Sequence, residues 1–209
     1  SKVPVTNAQY RLFVEATGHE IPKDWENGRP PKDKESHPVV YVSWHDAIAY
    51  CQWLSNVTSK PITLPSEAEW EKAARGDRDK REYPWGDKFE APRCNSYALG
   101  LNSTTPVGIF PEGASPYGAL DLSGNVWEWT RSLWGKDWRE PEFRYPYTAL
   151  EQRENLNAGD EVARVLRGGA FDNFERNVRC SYRNVLAPHG RLDNVGFRVV
   201  CGVLHTSDL

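Results

Sequence analysis

The chain has 209 residues, a formal net charge of −3, a pI of about 6.0 and 26% charged residues. Its length suits one large domain over residues 1–209, and the slightly acidic balance argues against nucleic acid as a partner. With a mean hydropathy of −0.69 and no apolar run near about 18 residues, the sequence encodes no membrane-inserting span. Nine Trp and nine Tyr against no Met predict a core of rigid aromatic side chains. Sixteen Gly and fifteen Pro predict many turns. The abrupt start at Ser1-Lys2-Val3-Pro4 suggests that a leader or a first strand lies upstream.

In chain order, Thr6 caps a helix that starts at Asn7, and Gly18 stops it. Ser43 with Asp46 forms a near capping box, and Trp44, Ala47, Ile48, Cys51 and Leu54 share one helical face. Ser66 with Glu69 is a full capping box for a third helix, which ends at Gly76. Residues 77–120 are turn-rich, with Tyr83-Pro84-Trp85-Gly86-Asp87 and Ser115-Pro116-Tyr117-Gly118 as turns. Trp127, Trp129 and Trp134 are expected in the core rather than in a sugar platform. Residues 135–160, polar and rich in Arg, Glu and Pro, form an excursion loop. Strands are predicted at 164–167, 178–183 and 196–203. Helices early, with strands and long loops late, make the fold class α+β.

Cys51, Cys94, Cys180 and Cys201 have no CxxC spacing, which argues against a zinc ribbon or a thioredoxin-type motif. Buried free thiols and a single disulfide both remain open. There is no G-x-S-x-G, G-x-G-x-x-G or P-loop, and His19, His37, His45, His189 and His205 show no i,i+4 pair.

Several stretches coincide with one family. They are Pro4-Val5-Thr6-Asn7-Ala8-Gln9-Tyr10, Pro38-Val39-Val40-Tyr41-Val42-Ser43-Trp44, Leu64-Pro65-Ser66-Glu67-Ala68-Glu69-Trp70-Glu71 and Tyr83-Pro84-Trp85-Gly86. Asp121-Leu122-Ser123-Gly124-Asn125-Val126-Trp127-Glu128-Trp129, Arg167-Gly168-Gly169 and Gly196-Phe197-Arg198 follow in the same order. Together they resemble the formylglycine-generating enzyme, or sulfatase-modifying factor, family across nearly the whole chain. The resemblance implies a C-type lectin-like fold with little regular secondary structure. It also implies that a first strand is missing upstream of Pro4.

The family's enzymes oxidise a sulfatase cysteine, using two cysteines that bind copper just after the Gly-Gly pair. Here residues 170–180 hold only Cys180, which matches a later strand position. Copper(I) needs a pair of soft thiolates, so no copper and no formylglycine synthesis are expected. The resemblance also implies a calcium ion held by the Asp121 and Glu128 side chains and the Gly124 and Val126 carbonyls, a mixed oxygen set that suits calcium. The alternative is that Asp121 and Glu128 only cap turns. A disulfide from Cys51 to the last strand is implied as well. The family's partner position corresponds to Val199, and Cys201 lies two residues on, on the same strand face.

The same fold serves as the variable protein of diversity-generating retroelements, in which Asn codons are rewritten to NNC or NNT. Such codons exclude Lys, Glu, Gln, Trp and Met. Those five types make up 37 of the 183 residues outside 170–195. At that rate about 5 would be expected in the segment, yet only Glu175 occurs there. The compatible positions are Phe171, Asp172, Phe174, Ser181, Tyr182, Val185, Leu186, Ala187, His189, Gly190, Leu192, Asp193 and Val195. Phe171, Phe174, Tyr182 and His189 would be aromatic anchors. Val185-Leu186-Ala187 and Leu192 either pack inward or form an exposed recognition patch. Arg167, Arg179, Arg183, Arg191 and Arg198 are expected to tether loop carbonyls as scaffold, and Gly168-Gly169 and Gly196 to permit turns.

The expected function is therefore non-catalytic binding of a protein or surface receptor through residues 170–195, as a retroelement variable protein. The alternatives are a paralogue or sensor domain with a fixed ligand and, third, an oxidoreductase of this family.

Overall fold

The computed structural model describes residues 1–77, 80–144 and 152–202. Three helices come first: α1 (Asn7–Thr17), α2 (Trp44–Thr58) and α3 (Glu67–Arg75). All three begin with reciprocal capping boxes, in which the side chain three residues into the helix bonds back to the cap amide. Gln9, Asp46 and Glu69 accept from the amides of Thr6, Ser43 and Ser66 at 2.9, 2.7 and 2.7 Å. Gly18 closes α1 in the left-handed region, with φ 70°, and its N–H reaches Val14 O at 2.8 Å.

The strands are β1 (Ile62–Thr63), β2 (Trp127–Gly135), β3 (Ala163–Arg167), β4 (Arg183–Leu186), β5 (Val195–Phe197) and β6 (Val200–Cys201). The main sheet has the order β4-β3-β2-β5. β3 pairs antiparallel with both β2 and β4, and β5 runs parallel to β2. β1 and β6 form a separate two-stranded ribbon. Among the described residues, no helix is long and apolar enough to cross a membrane.

The core packs α1 and α2 against the sheet through aromatic rings. Tyr10 stacks on Tyr50 at 5.8 Å, and Phe197 of β5 meets Tyr50 edge-on at 5.3 Å. Such pairs add about 0.5–1.5 kcal/mol each beyond area burial. Trp127 and Trp129 are buried here, whereas Trp134 is half-buried beneath the Arg183 guanidinium, 4.8 Å from its ring.

Three sequence expectations change. β2 was not foreseen, because it is covered on both faces and so lacks strand alternation. The strand expected at 178–183 is instead a bend and a turn that follow a 3₁₀ turn (Glu175–Asn177), and pairing begins only at Arg183. Val178 and Cys180 are buried, but their amides donate to Glu175 O and Glu82 O instead of to a neighbouring strand. The strand expected at 196–203 is split into β5 and β6, with the Arg198 side chain drawn inward between them; residue 203 lies outside the described residues.

The Cys51–Cys201 disulfide does not form: both thiols are free. Cys51 is buried in the aromatic core of α2, whereas Cys201 sits in the β1–β6 ribbon and is exposed.

Candidate functional site

Residues 170–195 leave β3 and return as β5. β3 and β5 both pair with β2, so the two ends of the segment are fixed by one central strand. The exit from β3 requires glycine. Gly169 has φ 74°, and a Cβ there would lie 2.6 Å from the Val178 side chain. Gly196 is needed for a different reason from the one expected. It lies within β5, where a Cβ would come 2.5 Å from Val39 O, so close backbone approach decides it and not a turn.

The arginine frame holds the rest. Arg167 is fully buried and donates to Cys180 O, to Glu67 at 3.1 Å and to Glu71 at 2.7 Å. Arg183 makes a two-pronged bond to Glu67 at 2.5 and 2.8 Å. Arg191 reaches Asp46 at 3.1 Å and Glu20 at 2.9 Å. Arg179 donates to Arg176 O at 3.0 Å. The Pro188 and Leu192 carbonyls accept the Trp44 and Tyr41 amides, both at 2.9 Å. An irregular backbone is thereby held by the start of α2, by α3 and by the sheet.

This frame sorts the expected contact residues. Asp172, Phe174, Ser181, His189, Leu192 and Asp193 are exposed. Tyr182, Val185, Leu186, Ala187 and Gly190 are half-buried, with Tyr182 and Leu186 leaning on the core. Phe171 and Val195 are buried and are corrected to packing positions: Val195 pairs with Trp127 in the sheet, and the Phe171 amide is tied to Asn125 O.

The segment borders three hollows, each completed by residues from elsewhere in the chain. Phe174, 55% exposed, meets Tyr97, 52% exposed, at 4.7 Å; with Phe89, Ala98, Glu175 and Arg176 they line a cleft of about 380 Å³. Val185, Leu186 and Ala187 border a hollow of about 440 Å³ beside Trp138, which is 66% exposed. Phe171 and Asp193 border a third of about 250 Å³ with Asp24, Lys34 and Tyr41. Sequence reasoning missed Tyr97, Phe89, Trp138 and Tyr41 as surface partners. Their one signal was large aromatics in turn-rich segments.

At the site expected to hold calcium, Arg198 competes with the ion for Glu128. Glu128 is fully buried, and both its oxygens are engaged: Arg198 donates at 2.6 and 2.7 Å, and the Trp70 indole at 2.6 Å. The same guanidinium takes the Leu120 and Asp121 carbonyls at 2.8 and 3.2 Å. Asp121 Oδ2 accepts the Gly108 amide at 2.7 Å, and the Gly124 carbonyl accepts the Val126 amide at 3.0 Å. Arg198 thus supplies the positive charge that the carboxylate needs. Burial pushes the Asp121 carboxyl up to about 6.

Burial also pushes the thiols up, Cys51 and Cys180 to about 12 and Cys94 to about 11. Nucleophiles and soft-metal ligands are thiolates, and these three sites disfavour that form.

Helices packed on a small curled sheet, with long loops held by side-chain tethers, define a C-type lectin-like fold. Treponema denticola variable protein 1 shares this fold with a TM-score of 0.72 at 23% identity, covering 96% of this chain and 82% of that one. Residues 1–203 match the family described as the Sulfatase-modifying factor enzyme 1-like domain, and the chain belongs to that family. The formylglycine-generating enzyme of Thermomonospora curvata is 37% identical over 185 residues, which is 79% of this chain and 56% of the relative. The inactive C-alpha-formylglycine-generating enzyme 2 of Bos taurus is 34% identical over 186 residues, covering 82% and 52%. The chain therefore spans about half the length of these relatives, and the family contains both enzymes and a member described as inactive.

Proposed function

We propose that this chain is a non-catalytic member of its family that binds a protein or cell-surface ligand through residues 170–195, as the variable protein of a diversity-generating retroelement. The observation that carries the reading is the pairing of a segment nearly free of Lys, Glu, Gln, Trp and Met with a backbone locked at both ends. Side chains at Asp172, Phe174, Ser181, His189, Leu192 and Asp193 are exposed and can change without touching the core. Phe174 and Leu192 present apolar area of the kind that anchors protein interfaces.

The chemistry of the cysteines supports the absence of oxidase activity. The stretch after Gly169 holds only Cys180, which is buried and has a raised pKa. The test is copper(I) titration together with oxygen uptake on a cysteine-containing peptide. The expected result is no stoichiometric copper(I) binding and no uptake above the peptide blank. Turnover that disappears in Cys180→Ser would overturn the non-catalytic reading. A second reading, a paralogue with one fixed ligand, is favoured by the 34% identity to the inactive bovine relative; it keeps the same surface and differs only in whether the segment is diversified.

A further inference from the structure

The hollow of about 250 Å³ sets Asp24, Lys34 and Asp193 among the hydroxyls of Tyr41, Ser103 and Thr104, with Pro31, Pro38, Val40 and Phe171 as its apolar walls. Asp24 lies at one side, and its Oδ1 is buried with no hydrogen-bond partner among the described residues. A buried carboxylate oxygen without a donor is a demand for one. Lys34 also lines the hollow. Its ammonium donates to Ser103 Oγ at 2.8 Å and lies 3.4 Å from His37 Nδ1. Among the described residues it forms no ion pair with a carboxylate, although its charge and that of Asp24 act on each other. Burial pushes the Lys34 amine down and the Asp24 carboxyl up, so each charge is poorly solvated as the hollow stands.

The remaining walls extend the pattern. Asp193 adds a second carboxylate, and both it and Asp24 act on the Tyr41 hydroxyl. The Tyr41 ring already accommodates one cation, since Lys23 Nζ lies 4.6 Å from its centroid. Thr104 contributes a hydroxyl beside Ser103. Tyr41 has φ 57°, a strained left-handed backbone that recurs where a ligand site fixes its geometry.

We propose that this hollow binds a small zwitterion of the α-amino-acid type, its carboxylate on Lys34, Ser103 and Thr104 and its ammonium on Asp24, Asp193 and the Tyr41 ring. A simple anion would serve Lys34 and leave Asp24 unmet, and a simple cation would do the reverse. A zwitterion supplies both counter-charges at once, through charge-assisted bonds at each end. A volume of about 250 Å³ admits a molecule the size of one free amino acid. The site goes beyond the macromolecular recognition proposed above: it uses neither the Phe174 cleft nor the apolar residues of β4, it shares Asp193 with that surface, and its main charges, Asp24 and Lys34, lie outside residues 170–195.

The test is titration of the protein by ¹⁵N NMR and calorimetry, with glycine, serine, phenylalanine and 4-aminobutyrate as probes and acetate and methylamine as monofunctional controls. At least one zwitterion should saturate and bind at least about tenfold tighter than either control. Asp24→Asn and Lys34→Met should each weaken it about tenfold. If Lys34→Met does not fold, Ser103→Ala gives the second reading, with an expected loss of about threefold. Zwitterions that bind no better than acetate, or that bind equally to wild type and variants, overturn the proposal. Phe174→Ala should leave amino-acid binding unchanged, so failure of the macromolecular reading and failure of this one are separable.

Discussion

Glu67→Gln tests the frame that holds the binding segment. Glu67 is fully buried and accepts from Arg183 at 2.5 and 2.8 Å and from Arg167 at 3.1 Å. Glutamine keeps the shape and removes the charge. Breaking a buried ion pair from one side costs about 3–5 kcal/mol, because the remaining charge stays desolvated. Arg167 keeps its 2.7 Å bond to Glu71, and the side chain of Arg183 is 15% exposed, so the low end of that range applies. For a chain of this size about 1 kcal/mol shifts Tm by about 2–4 °C. The expected fall is therefore about 6–12 °C by calorimetry at neutral pH. Ligand affinity should fall as well, without any ligand contact having been removed, because β4 loses its anchor. A fall of less than about 3 °C would refute the claim that this cluster fixes the segment.

Three further predictions follow from single features. Burial, then the Lys34 charge, hold the His37 imidazole down at about 4, against an ordinary value of 6.5. The unfolded chain binds that proton first, so stability is complete above about pH 6.5 and falls as pH drops toward 4, by about 2–3 kcal/mol. Urea midpoints at pH 7 and 4.5 should show the loss, and His37→Gln should remove most of it; an unchanged difference would contradict the assignment. Gly169→Ala combines φ 74° with a 2.6 Å contact to Val178 and should cost about 1–3 kcal/mol in chemical denaturation, whereas equal stability would place the β3 exit elsewhere. Because Arg198 neutralises Glu128, millimolar calcium and chelator should give the same Tm within about 1 °C; a rise of several degrees with calcium would show that the ion displaces the guanidinium.

What the sequence disclosed was local. Thr6, Ser43 and Ser66 begin helices because a cap and its partner lie three residues apart. The arginine spacing around Gly168-Gly169 also gave the right role, since a guanidinium among loop residues has carbonyls and carboxylates within reach whichever way the chain turns. What failed was long-range. Nothing near Glu128 in sequence shows that Arg198, 70 residues away, occupies its carboxylate. β2 is covered on both faces and so carries no alternating pattern. Phe171 and Val195 satisfy the same codon rule as Phe174 and Leu192, yet burial separates them, and burial depends on the whole sheet. Tyr97 joins the Phe174 cleft through a backbone bond to Asn173, a contact across 76 positions that no motif announces.

The central claim is that residues 170–195 are a diversified recognition surface on a fixed frame. Sequencing the few kilobases of genome beside the gene tests it most directly. The account predicts a near-copy of the segment next to a reverse transcriptase gene, differing only at template adenines, with the differences falling on exposed positions such as Phe174, His189 and Leu192 and sparing Arg179, Arg183 and Arg191. A neighbourhood with neither the copy nor the reverse transcriptase would contradict diversification and leave a binding domain with one fixed partner.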